Sequence, residues 1–380
     1  MEKVDLAVVG GGPAGAIVAR EAAAGGARVV LFERAPCAPL RCAGLISTRA
    51  VNELGVPRDL VLAEIRGVVI HGPKGSEASL FSPEPKAMVI DRKRLDARLR
   101  ACARDAGARV MEGASVLGWD GSVLYTSAGK FRPGILVGAD GAMSAVARWA
   151  GLPGPREILI AYQAEVTAPS EQPDRVEIFL GRDHAPGFFA WAVPAGETIR
   201  VGLATTEARR APDLLRRFLA RRSPGARVRG ISGGLIPIGP PARTSAGRTF
   251  LVGDAAAQVK PLTGGGLYYA GTAARLLGRL IAGGEPAEYE AGWRERFGRE
   301  IEFGLRARRA FLALSDGELD RLVAILGDRA LSAFLVERGD MDYPSRLVHE
   351  LKRAPRLWPL GLRALTAVGG LSRLGDLLSS

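Results

Sequence analysis

The run Gly10-Gly11-Gly12-Pro13-Ala14-Gly15 directly follows an apolar stretch, residues 4–9, and leads into the alanine-rich residues 14–24. A short β-branched strand, a glycine turn and a helix, in that order, leave few topologies open. Gly25-Gly26 stops the helix, and residues 28–32 resume as a second strand ending at Glu33, 18 residues after Gly15. The segment reads as a βαβ unit with a dinucleotide fingerprint at its first turn. Gly10 permits the tight turn, Gly12 the close approach of a pyrophosphate, and Gly15 close packing of helix on strand. Ala14 opens the helix, whose N-terminus favours an anion. Glu33 is placed to accept hydrogen bonds from an adenosine ribose.

Two further glycine turns follow in the chain. Gly138-Ala139-Asp140-Gly141 comes after the apolar residues 131–137. Gly253-Asp254 comes after residues 249–252 and precedes Lys260-Pro261-Leu262-Thr263-Gly264-Gly265-Gly266-Leu267. Together the three turns frame a site for one extended FAD molecule. Asp254 then holds the ribityl hydroxyls, and the N–H groups around Gly265, Gly266 and Leu267 face the flavin pyrimidine edge, where negative charge gathers on reduction. Read as structure alone, Asp254 is a helix cap and the glycines serve packing. Arg92 opens a basic helix over residues 91–107, as a contact to the flavin phosphates or as a solvated cation. Cys42, in Arg41-Cys42-Ala43-Gly44-Leu45, lies where the chain should pass the isoalloxazine ring. It reads as a proton donor, a substrate-orienting group or a small buried thiol.

Composition bounds the rest. With 380 residues, 47% of them hydrophobic, the chain can bury a core shared by two or three substructures. It lacks a run of about 18 apolar residues, so no spanning helix is expected. The N-terminus enters a strand at once, which leaves no room for a signal peptide and points to the cytoplasm. Cys37, Cys42 and Cys102 are too few and unpatterned for a disulfide framework. His71, His184 and His349 are scattered, and no metal site is suggested. The net charge of +12 comes without a nucleic-acid motif, so no nucleic-acid partner is expected. An anionic membrane face, a phosphorylated substrate and a merely soluble arginine-rich surface all fit it.

The expected fold is α/β: a Rossmann-like FAD-binding domain, an inserted antiparallel β-sheet and a C-terminal helical region. Residues 1–66, 88–157 and 243–285 form the discontinuous FAD-binding domain. Residues 67–87 and 158–242 form the sheet, with strands over 161–166, 175–180, 188–193 and 199–204 and a helix over 213–222 laid across it. Residues 64–80 alternate with turn signals as antiparallel strands do. Residues 286–380 read as helical.

On these motifs the chain resembles the geranylgeranyl reductases, a branch of the flavoprotein hydroxylase superfamily, over roughly residues 1–285. Its most specific pieces are Arg41 to Leu45, Gly253 to Gly266, and Pro186-Gly187-Phe188-Phe189-Ala190-Trp191-Ala192-Val193-Pro194. The family pattern is PxxYxWxFP, so Phe189 replaces the tyrosine, Trp191 matches, and Val193 replaces the phenylalanine. By strand alternation Phe189, Trp191 and Val193 share one face, as the wall of an isoprenoid tunnel or as plain core. Asp140-Gly141 resembles the turn lining flavin and reductant access in flavoprotein hydroxylases, or is an ordinary strand-ending turn. The resemblance implies that Arg34, Arg41, Cys42, Ala43, Gly44 and Val116 complete the contacts to FAD.

It also implies saturation of geranylgeranyl chains in membrane lipids or in chlorophyll and quinone tails. Hydride leaves reduced FAD, and an isolated alkene needs a positioned acid for its other carbon. Cys42 is the candidate acid. Electrons come from an external donor, NAD(P)H or ferredoxin; no second dinucleotide fingerprint is present, so a tightly held pyridine nucleotide is not expected. Residues 357–378 interleave Trp358, Leu360, Leu362, Leu365, Val368, Leu371 and Leu374 with Arg363 and Arg373, either for an anionic membrane face or for helical packing.

Three other readings are weighed. A monooxygenase of the same fold would differ in how its reduced form treats oxygen. A flavin-dependent halogenase is discounted, because Phe189 breaks the WxWxIP run and, of seven lysines, Lys74 and Lys86 sit in loop-like surroundings. A non-catalytic flavin-bound membrane or nucleic-acid binder would hold FAD that no reductant turns over.

Overall fold

The computed structural model describes residues 1–37, 42–168 and 170–367. Arg41, Val368, Leu371, Arg373 and Leu374 lie outside the described residues, and the side chain of Leu365 is likewise outside them.

The strand Glu2–Val9 runs parallel to Val29–Glu33 on one side and to Gly129–Gly138 on the other. Arg109–Glu112 borders Val29–Glu33 and Thr249–Leu251 borders Gly129–Gly138, both in parallel, and the short antiparallel strand Ser245–Ala246 lies beyond Thr249–Leu251. A strand covered on both faces must be apolar throughout, which is why Leu6, Ala7 and Val8 are all fully buried. Helix Pro13–Ala24 lies on one face between Arg92–Asp105 and Leu267–Gly283. Proline at its first turn costs no hydrogen bond, since those N–H groups have no intrahelical partner. Leu6, Val8, Ile17 and Leu31 meet Tyr269 and Trp293 in the main core.

A second, seven-stranded sheet is ordered Arg227–Ile238, Glu157–Thr167, Thr198–Thr205, Ala190–Ala195, Arg175–Phe179, Gly67–His71, Glu77–Phe81. Its outer face carries helix Ala211–Arg222, with Leu214, Leu215 and Phe218 buried against Ala164, Val201 and Leu203. The sheet departs from the antiparallel expectation at one pair, where Gly67–His71 runs parallel to Arg175–Phe179. These strands lie far apart in sequence, so no hairpin dictates their sense. Arg66 and Gly67 both donate their N–H groups to the Asp174 carbonyl, which starts the two strands together.

The segment 64–80 also divides. Val61–Ile65 pairs with Ala87–Ile90, and with Leu45–Ser47 these form a separate three-stranded sheet; Arg66 stands at the crossing. Strand Arg227–Ile238 borders the large sheet in a stretch without clean alternation, and as an edge strand it tolerates Pro237. Among its described residues the C-terminal region has five α-helices: Tyr289–Leu312, Asp316–Leu326, Arg329–Arg338, Arg346–Lys352 and Trp358–Ala367. Ser315 and Glu318 form a reciprocal cap at the second, and Asp328 caps the third. Among the described residues, no helix is long and apolar enough to cross a membrane.

Candidate functional site

One cavity of about 1070 Å³ runs from the C-terminal ends of the parallel strands to the inner face of the seven-stranded sheet. All three glycine turns reach it. Gly10, with φ +102°, adopts a conformation that side chains rarely take, and a Cβ there would stand 2.2 Å from the Ala139 carbonyl oxygen. Gly15 does not face the cavity; its own Cβ would meet the Gly10 oxygen at 1.9 Å, so it sets how closely helix and turn pack. Gly12 is the opposite case. Nothing lies within 4 Å of where its Cβ would be, and that space belongs to the cavity.

Glu33 ends its strand beside this turn. Its carboxylate accepts the Gly11 N–H at 2.8 Å and the Ala35 N–H at 2.7 Å, one on each oxygen, which fixes its orientation and leaves a lone pair on each for a ligand. Arg34 and Val116 line the same end. Arg100, which sequence reasoning missed, is 5% exposed and bonds Glu112 Oε1 at 2.7 Å and the Gly11 carbonyl at 3.3 Å. Its spacing was the available signal: Arg92, Asp96 and Arg100 repeat every four residues, and all three line the cavity.

Arg92 is nearly buried and bonds Asp96 Oδ1 through Nη2 at 3.1 Å. Burial opposes its charge, but Asp96, Cys42 and Asp254 outweigh it and hold the guanidinium above its ordinary pKa. Asp254 is accessible as a cavity wall, yet protein crowds it. That desolvation raises its carboxyl above the usual range, against the pull of Arg92. The turn beneath it is braced. Gly253 donates its N–H to Gln258 Oε1 (2.8 Å), Gln258 Nε2 donates to the Tyr289 hydroxyl (2.9 Å), and that hydroxyl donates to the Leu251 carbonyl (3.0 Å). Gly265, Gly266 and Leu267 line the cavity where helix Leu267–Gly283 starts, and no side chain caps that end. An uncapped N-terminus beside a raised carboxyl suits a group with hydroxyls and a developing negative charge.

Asp140 and Gly141 also line the cavity, but the Asp140 carboxylate faces a short helix, Ala145–Trp149. It accepts from the Ser144 hydroxyl at 2.6 Å and the Ala145 N–H at 2.7 Å, and so acts as a cap. Lys260 is likewise engaged: its Nζ reaches Asp342 Oδ1 at 3.0 Å and the Met341 carbonyl at 3.1 Å. Asp342, almost fully buried, also accepts from the Ser47 hydroxyl at 2.6 Å. The loop 339–343 is thereby tied across the cavity, a contact that nothing local in the sequence announces.

Cys42 and Ala43 face the cavity, and Gly44 lies behind them, donating its N–H to Cys42 Sγ at 3.3 Å. Buried Arg200 donates to the Ala43 carbonyl at 2.7 Å and to the Ile90 carbonyl at 3.3 Å, holding the Cys42 loop against the small sheet. Burial lowers the Arg200 pKa, with Glu165 and Cys42 countering. Phe189, Trp191 and Val193 line the cavity together with Phe188, which stacks on Phe189 at 4.2 Å. Trp191 donates its indole N–H to Gln163 Oε1 at 3.3 Å and lies flat over Gly202.

The residues fit FAD. The open space at Gly12, the oriented Glu33, the crowded Asp254 and the uncapped helix end supply, in order, what a pyrophosphate, a ribose, a ribityl chain and a reduced flavin edge require. Among the described residues, no group of His, Cys, Asp and Glu gathers as a metal site.

Comparison with known proteins agrees with this geometry. Residues 3–226 match the FAD binding domain family. A digeranylgeranylglycerophospholipid reductase of Methanothrix thermoacetophila is 35% identical over 84% of this chain and 90% of its own length. A geranylgeranyl bacteriochlorophyll reductase-like protein from Thermoplasma acidophilum superposes with a TM-score of 0.82 at 25% identity, covering 95% of this chain and 100% of that one. The flavin-dependent halogenase CmlS shares the fold, with a TM-score of 0.66 at 19% identity over 97% of this chain and 72% of its own.

Proposed function

The chain belongs to the FAD binding domain family and, within it, to the digeranylgeranylglycerophospholipid reductases, and from that premise we propose that it saturates isolated double bonds of a geranylgeranyl chain on a membrane-lipid precursor. It is an FAD-dependent oxidoreductase. The observation that carries the finer reading is the continuity of the cavity, whose FAD-fitting end runs past Cys42 into walls built by Phe188, Phe189, Trp191 and Val193.

Bound FAD supplies the hydride. The protein's own residues then have three tasks. Glu33, Arg92, Asp254 and the N–H groups at 265–267 hold the cofactor in register. The apolar wall orients the alkene and keeps water out. Cys42 delivers the proton that the second alkene carbon needs, directly or through one water, with phenylalanine rather than tyrosine at 189. Arg200 keeps the Cys42 loop in place through the Ala43 carbonyl.

In this reading residues 1–66, 88–157 and 243–285 are the FAD-binding domain, 67–87 and 158–242 the substrate sheet and 286–380 the C-terminal helical region, of which Leu335, Gly339 and Asp342 line the cavity. Electrons arrive from NAD(P)H or a ferredoxin, and the lipid is met at an anionic membrane surface.

The test is anaerobic reduction of the FAD-loaded protein with dithionite, followed by addition of a geranylgeranyl phospholipid and mass spectrometry. Saturated product supports the reading. No product, followed by rapid oxygen consumption once air is admitted to the reduced protein and lipid, would move the assignment to a monooxygenase, and absence of bound flavin would overturn the cofactor assignment. Cys42→Ala should retain FAD and lose about 100-fold in kcat; full turnover would remove Cys42 from the mechanism.

A further inference from the structure

Beyond Cys42 the cavity continues toward the crossing between the two β-sheets. Its walls there are apolar: Ile65, Val68, Ala87, Val176, Ile178 and Val193. A satellite core joins several of them to Ala43 and Trp191, so one apolar surface extends from the reaction centre to this end. The end itself is different. Arg66, Ser82 and Lys86 line it, and the backbone brings the three together, since Ser82 N–H donates to the Arg66 carbonyl at 2.9 Å and Lys86 N–H to the Ile65 carbonyl at 2.8 Å.

The charges there are unevenly matched. Glu64 lies between Arg58, at 3.6 Å, and Arg66, at 3.9 Å, and the Arg66 guanidinium also donates to the Pro83 carbonyl. Glu84 sits in the same turn, with its N–H on Ser82 Oγ at 3.1 Å. Lys86 is exposed and forms no ion pair among the described residues. A free ammonium and a half-exposed guanidinium thus close a tube that is otherwise hydrocarbon.

We propose that this end is a subsite for the phosphate of an amphiphilic substrate, with Lys86 and Arg66 holding the anion at the mouth while the prenyl chain runs inward past Val176 and Val193 to Cys42. The inference rests on the reductase reading and adds what that reading lacks: a polar anchor that sets which double bond meets the flavin. An oily chain alone slides along such a wall, and one charged end fixes its register. The shared chemistry is a phosphate on a long apolar tail, whether a free prenyl diphosphate or a phospholipid headgroup.

The experiment uses FAD-loaded wild type, Lys86→Glu and Lys86→Gln with three probes: geranylgeranyl diphosphate, a digeranylgeranylglycerol phospholipid and uncharged geranylgeraniol. For each protein the ratio of KM for a phosphorylated probe to KM for geranylgeraniol is measured. In Lys86→Glu that ratio should rise about tenfold or more, and less in Lys86→Gln, because a charge-assisted contact becomes repulsive in one case and neutral in the other. A larger rise for the diphosphate identifies a free prenyl diphosphate as the ligand, and a larger rise for the phospholipid identifies a headgroup. An unchanged ratio with wild-type FAD content would overturn the subsite while leaving the reductase reading intact. Wild-type protein that turns over none of the three would overturn that reading and the subsite with it.

Discussion

The carboxylate of Asp254 faces the cavity with Arg92 as its charged neighbour, and crowding by protein raises its pKa. A raised value means that the folded apoprotein holds this proton more tightly than the unfolded chain does. The associated stability is present at acid pH and is lost as pH rises through the folded value. Asp254→Asn removes the penalty. Its apoprotein should therefore gain thermal stability over wild type at pH 7 and gain little at pH 4, while its FAD affinity falls about tenfold or more with the lost acceptor. Melting curves at the two pH values, with a flavin titration, check both halves. Equal gains at both pH values would mean that the carboxyl is not the source. A second residue acts by having no side chain. A Cβ on Gly202 would lie 2.7 Å from the Trp191 indole, so Gly202→Ala must push the ring off Gln163. About 1–3 kcal/mol of stability should be lost to overpacking. A shifted Trp191 emission and a raised KM for the prenyl substrate should accompany it, whereas unchanged emission would mean that the sheet, rather than the ring, yields.

Among the elements, the loop 339–343 crosses from the C-terminal helices to the glycine-rich turn and is held by Asp342 on Ser47 and Lys260. Removing one partner of a nearly buried pair leaves the other charge without compensation, so Asp342→Ala should cost about 3–5 kcal/mol, read in a denaturant melt. A loss below about 1 kcal/mol would show Lys260 rehydrating, as an exposed pair would allow. Elements of this kind were illegible in the sequence for a physical reason. The fingerprint strand, turn and helix at 4–24 are encoded by neighbours a few residues apart, and periodicity reveals them. Ser47 and Asp342 are 295 residues apart, and no local pattern connects them. Strand Arg227–Ile238 escaped because Gly230, Gly233, Gly234 and Pro237 read as turn signals; its pairing partner supplies the order that its own residues do not. The small sheet escaped because Arg66, near the start of an alternating run, turns the chain from one sheet to another. For the site, local pattern singled out the glycine turns, Glu33, Arg92 and Asp254, which the fold brings to one cavity; the Asp140 cap on Ser144 and Ala145 is a local contact that a strand-ending turn hides, whereas the burial of Arg100 depends on tertiary neighbours.

For the whole molecule, the charge of +12 acts together with where apolar side chains surface. Helix Trp358–Ala367 packs on helix Asp316–Leu326 and leaves Trp358 57% and Leu362 60% exposed. An aromatic and an aliphatic side chain on one short helix of a basic protein match the interface of an anionic bilayer, where cations are drawn by surface potential and apolar tips enter below the headgroups. The two contributions respond differently to salt, because screening shortens to about 8–10 Å near physiological ionic strength while apolar burial is unaffected. Vesicles containing anionic lipid should therefore sediment the protein at low salt and release most of it at about 0.5 M salt. Trp358→Ala with Leu362→Ala should weaken the fraction that survives salt. Equal binding to neutral vesicles would show that the charge serves solubility. A double variant indistinguishable from wild type would place the bilayer contact elsewhere on the basic surface, with the mouth at Arg66 and Lys86 the next place to look, since a phosphate held there would already lie at the headgroup layer.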